Sequence, residues 1–358
     1  MCAMSSRERV AKAFRHEEPD RVPVDYSANP GIDRRLKEHF GLDADDSEGL
    51  RHALGVDFRW VQAPYAGPRL HAAAEEEPGL HVSPDWGLHS RRIEHESGAY
   101  WEPQPHLESL DQETAAAYPM PSPDDYDYEA VPADCERFDG HFVSTGAGFE
   151  VMNYTGRFVG HEAMYVGLAA GEPALLTFIE RYVRVKYEIA RRTIEAAGGG
   201  LHCLWIGEDL GTQRGPRISM RLWRERIRPI HERFVHLAKE HGLAVMIHSC
   251  GSSSWAFEDF IEMGIDAVDT LQPEAADMAP EYLKRSFGDR LAFHGCISTA
   301  GPVAHGTFQE TEEYCRRTLQ VMMPGGGYCF APTHQLQDDS PTENVLAMYR
   351  TARECGVY

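Results

Sequence analysis

The segment His248-Ser249-Cys250-Gly251 places a histidine and a cysteine two positions apart. In an extended chain residues i and i+2 point to the same side, so the imidazole and the thiol should converge on one point. Zn²⁺ takes imidazole nitrogen and thiolate sulfur readily, and Gly251 would let the backbone turn after the pair. The pair therefore predicts a zinc site whose other ligands come from elsewhere. On spacing alone, a buried cysteine packed beside a hydrogen-bonded histidine fits equally well.

Candidates for the further ligands lie within or at the ends of other apolar runs, namely His334, Glu208, Asp209, Cys296 and Cys329. Glu208 and Asp209 are adjacent, and adjacent side chains of an extended chain point oppositely, so we expect only one to face the centre. An inward carboxylate can ligate a metal, bind a cationic group or act as a general base; the alternative for Asp209 is a helix N-cap. Cys329 lies inside an apolar run, which favours a packed core thiol.

Other polar side chains also follow apolar runs. His294 and Cys296 repeat the i, i+2 geometry and are expected either to ligate or support the metal or to pack in the core. The residues that share this position just past a run are Asp25, Glu208, Asp209, His248, Cys250, Gln272, Glu274, His294, Cys296 and His334. Such a concentration of ionisable and metal-binding side chains predicts an active site at one face of the fold.

The elements that must position these residues alternate between short apolar runs and helix-length amphipathic segments. Strand followed by helix, repeated, indicates parallel β-structure with right-handed crossovers. Eight runs are predicted as strands, at 21–27, 56–61, 141–148, 201–211, 243–251, 265–274, 291–299 and 327–334. This number favours an α/β fold of the (β/α)8 TIM-barrel type, in which active sites lie where strands end. A doubly wound sheet is the competitor, but no G-x-G-x-x-G turn follows the first run.

One domain, residues 1–358, accommodates the whole pattern, with an irregular insertion or lid at about 80–130. Within it, residues 80–105 mix aromatic residues, glycine and alternating polarity, as an antiparallel hairpin would. The N-terminus is charged and amphipathic rather than a signal sequence, and the eight cysteines are widely spaced, so we expect a cytoplasmic protein. No apolar run approaches the length of a membrane-spanning helix.

The formal net charge is −21, from 35 Lys and Arg against 56 Asp and Glu. A chain this acidic should not bind nucleic acid or an anionic membrane surface. A homodimer is the default expectation for its assembly.

In its motifs the sequence resembles the uroporphyrinogen decarboxylase superfamily. The resemblance spans nearly the whole chain, through the opening block (RERVAKAF and DRVPV, within 6–24), HSCG, GIDAVD (264–269) and GGGYCFAPTHQLQDDSPTENV (325–345). It implies a single (β/α)8 barrel and one of two activities, metal-free decarboxylation or zinc-dependent methyl transfer involving cobalamin.

The two branches of this superfamily match differently. His334 stands where the decarboxylases keep a catalytic histidine, but their N-terminal RQAGR motif, whose arginines hold substrate carboxylates, is absent. His248 and Cys250 match the zinc motif of the methyltransferases, whose third ligand, a cysteine, is replaced by His334. The segment GCIST (295–299) stands where both branches usually have an Asp-containing GNxDP.

The resemblance thus favours zinc-dependent methyl transfer between a small methylated substrate, a corrinoid protein and a thiol. No DxHxxG corrinoid motif is present, so the corrinoid would be carried by a separate partner. The expected metal ligands are His248, Cys250 and His334; the expected catalytic residues are Glu208, Asp209 and His334; and the expected substrate contacts are Asp25, Tyr26, Gln213, Gln272 and His294. The alternatives are a metal-free decarboxylase of a carboxylated substrate and a non-catalytic small-molecule-binding barrel.

Overall fold

A computed structural model describes residues 4–73, 77, 79–95, 98–107, 109–146 and 149–358. The strands are β1 (Phe58–Trp60), β2 (Leu80–Val82), β3 (His89–His95), β4 (Gly98–Pro103), β5 (Phe142–Thr145), β6 (Cys203–Gly207), β7 (Ala244–His248), β8 (Ala267–Leu271), β9 (Ala292–Ile297) and β10 (Tyr328–Pro332). Residues 147–148, at the end of one predicted run, and 96–97, within the predicted hairpin, lie outside the described residues.

The α-helices lie before, between and after these strands along the chain. They are α1 (Ser6–Phe14), α2 (Pro30–Phe40), α3 (Ser47–Leu54), α4 (Gln112–Ala117), α5 (Ala130–Arg137), α6 (Met152–Val159), α7 (His161–Ala170), α8 (Pro173–Ala196), α9 (Met220–Leu222), α10 (Arg228–Glu240), α11 (Phe257–Met263), α12 (Pro280–Phe287), α13 (Pro302–His305), α14 (Phe308–Met322) and α15 (Thr342–Cys355). A π-helical segment, Trp223–Ile227, joins α9 to α10, and short 3-10 helices lie at Pro123–Asp125 and Ser254–Ala256.

Among the described residues, seven strands form one parallel sheet in the order β1-β5-β6-β7-β8-β9-β10. The strands follow one another in chain order, so each crossover leads to the next position around the sheet. The predicted α/β fold of the TIM-barrel type is thus confirmed, and seven of the eight predicted runs contain one of these strands.

The eighth run, 21–27, closes the ring without forming a regular strand. Val24 bridges Phe330 of β10 in parallel, and its carbonyl accepts a hydrogen bond from the Asp57 N–H (2.8 Å), just before β1. Pro23 has no N–H, and the Val24 N–H donates to the Asp57 carboxylate (2.9 Å), so a continuous ladder cannot form. The prediction of a full strand here was wrong for this reason, although the position in the ring was right.

The barrel interior is filled by residues that alternate along the strands. One inward layer, with α1 packed against it, comprises Val10, Ala13, Phe14, Phe58, Phe142, Cys203, Met246, Ala267, Ala292 and Cys329. Helix α1 therefore closes the end of the barrel opposite the carboxyl ends of the strands, and the open end is left for a site.

The predicted irregular segment contains a three-stranded antiparallel sheet, β2-β3-β4, rather than a lone hairpin. Trp86 is buried against Tyr154 of α6 and Tyr182 of α8, which fixes this insertion to the outside of the barrel. No helix among the described residues is long and apolar enough to cross a membrane.

Candidate active site

A cleft of about 210 Å³ opens at the carboxyl ends of the parallel strands. The residues that line it are Asp25, Tyr26, Ser27, Trp205, His248, Asp269, Thr270, His294, Ala331, Pro332, Thr333, His334 and Gln335. Four of them, Asp25, His248, His294 and His334, were predicted at the ends of four different runs. The convergence follows from parallel pairing, because all the strands end at the same rim.

His248, the last residue of β7, is held through one ring nitrogen. Its Nδ1 lies 2.8 Å from Asp269 Oδ2 and 2.7 Å from Thr270 Oγ1. A carboxylate at Nδ1 favours a proton on that nitrogen and directs Nε2 at the site. Burial would lower the pKa of His248, but its hydrogen bonds to Asp269 and Cys250 raise that pKa well above its usual value, so Nε2 carries a proton that a bound metal would displace. Nε2 points to Cys250 Sγ (3.4 Å) and Asp209 Oδ1 (3.7 Å).

The ligand atoms of Asp209, His248 and Cys250 all lie within 4.8 Å of one another. In tetrahedral zinc sites the bond lengths imply separations between ligand atoms of roughly 3.3–3.6 Å. The distances from His248 Nε2 to its two neighbours are therefore close to those of a zinc site. The chemistry of the set also fits, since imidazole, thiolate and carboxylate are all zinc ligands.

Asp209 is oriented by two hydrogen bonds. Its Oδ1 accepts from the Cys250 N–H (2.9 Å), and its Oδ2 accepts from Asn153 Nδ2 (2.7 Å). Burial would raise its pKa, but the charge of His248 and these hydrogen bonds hold the pKa of Asp209 below its usual value. The carboxylate is thus kept ionised beside the histidine and the thiol.

Glu208 points the other way, as expected for adjacent residues at a strand end. It is fully buried, and its oxygens accept hydrogen bonds from the Val151 and Met152 N–H groups (2.9 and 3.0 Å) at the start of α6. His231 Nε2 lies 3.1 Å from the same carboxylate. The structure therefore brings Asp209, and not Glu208, to His248.

The thiol of Cys250 sits at a tight turn. Burial raises its pKa, an effect partly offset by the hydrogen bond to His248. Gly251 has φ +74°, and a Cβ added there would lie 2.5 Å from the Gly211 carbonyl oxygen. Its N–H donates to Gln272 Oε1 (2.8 Å), so the loops after β6, β7 and β8 meet at this point.

A second histidine lies deeper in the cleft. His294 Nδ1 is 2.6 Å from Asp269 Oδ1, and its Nε2 is 3.1 Å from Asp25 Oδ2. Burial would lower its pKa, but the two carboxylates raise the pKa of His294 to about 9. A hydrogen-bonded chain thus runs from Asp25 through His294 and Asp269 to His248.

The remaining predicted residues lie around this centre. His334 is exposed at the rim, with its ring centroid 6.2 Å from that of His248, and lies outside the group of three close ligand atoms.

Tyr26 lines the cleft and donates to Asp33 Oδ1 (3.1 Å), while the exposed Gln213 donates to Gln272 Oε1 (3.3 Å). Cys296 and Cys329 are fully buried among apolar residues.

Sequence reasoning missed Asp269 and Thr270. Thr270 has φ +63° and is the extra residue in a bulge, because Asp269 pairs with His294 and Leu271 pairs with Gly295. In a regular strand 269 and 270 would point oppositely, and the bulge brings both to His248 Nδ1. Asp269 could have been noticed as an acidic residue in a predicted strand, but nothing in the sequence indicated the bulge.

Glu150 was also missed. It is half-buried near His248 and Asp209, and burial raises its pKa. A Cβ at Gly207 would lie 2.9 Å from Glu150 Cγ, so this glycine leaves space for the side chain. In the sequence, only its position just after the predicted strand 141–148 could have indicated Glu150 as a site residue.

The profile of the family described as uroporphyrinogen decarboxylase matches residues 166–355, more than half of the chain. The chain belongs to the uroporphyrinogen decarboxylase family. Within this family match lie Asp209, His248, Cys250, Asp269, His294 and His334. The assignment rests on the sequence, and the barrel described above agrees with it.

A methyltransferase from Methanosarcina mazei has a similar structure, with a TM-score of 0.63 and 15% identity, over 98% of this chain and 99% of that one. At this identity the likeness shows a common fold. Native xylanase 10B from Thermotoga maritima is a more distant match, with a TM-score of 0.41 and 12% identity, over 65% of this chain and 82% of that one. No curated protein matches the chain in sequence.

Proposed function

We propose that this member of the uroporphyrinogen decarboxylase family is a zinc-dependent enzyme that transfers a methyl group from a small methylated compound, through a separate corrinoid protein, to a thiol. The observation that carries the proposal is the group of Asp209, His248 and Cys250, with His248 Nδ1 held by Asp269. The fold shared with a methyltransferase is consistent with it.

His248 Nε2, Cys250 Sγ and Asp209 would hold the metal, which would lower the pKa of a thiol substrate so that its thiolate can accept a methyl group. Asp269 and Thr270 fix the ring so that Nε2 stays directed at the site. His334, exposed at the rim, is the residue placed to receive the substrate thiol proton on a ring nitrogen. Trp205 lines the same cleft, with its ring against His294.

The charge of the cleft favours this activity over decarboxylation of a porphyrinogen. Among the described residues that line it there is no arginine or lysine, and the charge of His294 is already paired with the Asp25 and Asp269 carboxylates. A substrate with many carboxylates needs cations to hold it. A thiol and a methyl group carry no carboxylates, so their binding needs no such cations.

The test combines metal analysis with an assay on the full chain. Zinc content is measured by mass spectrometry, and methyl transfer is followed with methylcobalamin as donor and 2-mercaptoethanol as acceptor. Wild-type protein should contain about one zinc per chain, and His248→Ala and Cys250→Ser should lose both the metal and the activity. Cys355→Ser is the matched control, since Cys355 is also a half-buried thiol but lies at the end of α15. Absence of stoichiometric zinc, or activity retained in His248→Ala, would contradict the proposal.

A further inference from the structure

A second cavity, of about 240 Å³, lies outside the barrel wall and away from the cleft. Leu204 and Ile206 of β6 line it, together with Ile189 of α8, and the insertion that carries Trp86 covers it. Cys203, which alternates with Leu204, faces the barrel interior instead. The cavity is therefore separated from His248 by the sheet itself.

Lys186 of α8 places its ammonium in this cavity. Nζ lies 4.9 Å from the ring centroid of Trp86, 5.3 Å from that of Tyr154 and 5.9 Å from that of Tyr182. It has no hydrogen bond or ion pair with other described residues. Burial lowers the pKa of Lys186 to about 8, although the charge of Asp85 opposes this shift. The cation is held by aromatic faces and lacks an anion in contact.

Asp85 lines the same cavity from the insertion. It also has no hydrogen bond or ion pair with other described residues. It is close enough to act on the pKa of Lys186, yet the two groups do not pair directly. The cavity thus presents one cation and one anion, each with an open position, on walls that are partly apolar and partly polar.

We propose that this cavity binds a small zwitterion of the α-amino acid type. The ligand carboxylate would pair with Lys186 and its ammonium with Asp85, so that both charges are neutralised in a partly desolvated site. The aliphatic wall of Ile189, Leu204 and Ile206 suits a branched apolar side chain. This site is separate from the proposed metal centre and does not depend on the methyl-transfer proposal.

Isothermal titration of the full chain with leucine and two analogues that keep its branched side chain tests each contact. The probes are leucine, 4-methylpentanoate, which lacks the amine, and 3-methylbutylamine, which lacks the carboxylate. Leucine should bind most tightly, 4-methylpentanoate at least tenfold more weakly, and the amine most weakly because Lys186 repels it. Absence of saturable leucine binding, or equal binding of the three probes, would overturn the proposal.

Variants locate the binding. Lys186→Met keeps the length and apolar packing of the side chain, and Asp85→Asn keeps its shape; each should weaken leucine binding at least tenfold. Arg184→Met is the matched control on the same helix, because Arg184 is exposed and does not line the cavity. Circular dichroism and the midpoint of urea unfolding report whether each variant is folded. Unchanged leucine binding in folded Lys186→Met would refute the assignment.

Discussion

Asp269 holds two histidines at once, through one carboxylate oxygen each. Its Oδ2 contacts His248 Nδ1 and its Oδ1 contacts His294 Nδ1. Such a carboxylate behind a metal-binding histidine orients the ring and raises its basicity. Asp269 therefore matters to the proposed metal centre without being one of its ligands.

Asp269→Asn should weaken zinc binding about 10- to 100-fold, since the amide cannot provide the same charge at His248 Nδ1. Competition with a chromophoric zinc chelator measures the affinity. Asp289→Asn, at an exposed aspartate, is the control and should leave the affinity unchanged. Equal zinc affinity in wild type and Asp269→Asn would show that the carboxylate does not act on the site.

His294 should make stability depend on pH in the alkaline range. Its folded-state pKa, about 9, lies above the usual 6.5, so its contribution is fully present below pH 6.5 and is lost as the pH rises through 9. The stability difference between wild type and His294→Asn, from urea unfolding of metal-free protein, should shrink between pH 6 and pH 10. His236→Asn, at an exposed histidine, should show no such change. A constant difference would mean that His294 is not protonated in the folded state.

At the scale of elements, the loops after β6 and β7 approach so closely that only glycine fits between them. Gly251→Ala would place a methyl group 2.5 Å from the Gly211 carbonyl oxygen at a residue with φ +74°. We expect a loss of about 1–3 kcal/mol in the free energy of unfolding and weaker zinc binding. Urea unfolding and zinc titration measure the two effects. Gly215→Ala, where a Cβ meets nothing within 4 Å, should be nearly neutral, and an equal effect of both substitutions would refute the steric argument.

Asp57 joins the segment 22–25 to the rest of the barrel. It is fully buried and accepts from Arg9 Nη1 (2.7 Å), Arg21 Nη1 (2.7 Å) and the Val24 N–H (2.9 Å). Asp57→Asn should reduce the free energy of unfolding by about 3–5 kcal/mol, because Arg9 would be left buried with less compensation. Thermal or urea unfolding checks this, with Asp139→Asn, at an exposed aspartate, as control. A change below 1 kcal/mol would show that the network is not needed for closure.

The alternation of strands and helices made the barrel predictable, and the barrel in turn placed Asp25, Asp209, His248 and His294 near one another. What could not be predicted depends on local geometry. The choice between Glu208 and Asp209 requires the position of α6, whose N–H groups Glu208 satisfies. The contact between Thr270 and His248 depends on a β-bulge, which has no recognisable sequence pattern. The interrupted strand pairing at Val24, by contrast, follows from Pro23, which has no N–H to donate.

At the scale of the whole molecule, the proposed metal centre joins the loop after β6 to the end of β7 and the loop that follows it, and the loop after β8 is attached there by the Gly251 hydrogen bond to Gln272. Because zinc would bind the folded state and not the unfolded state, it should raise the free energy of unfolding of these segments together. At a free zinc concentration 100 times the dissociation constant, the expected gain is about 2.7 kcal/mol. A chelator should lower the Tm of wild-type protein and leave that of His248→Ala unchanged. The same Tm shift in both proteins would point to a different zinc-binding region.

The bridge between Val24 and Phe330 joins segments about 300 residues apart. Bringing two such distant segments together costs chain entropy before any contact is gained. We therefore expect the ring to close at this seam only after the intervening strands have assembled, each beside its neighbour in sequence. Closure of the seam is then a late event, and α1, which packs against β10 as well as β5, takes its final place only with that step.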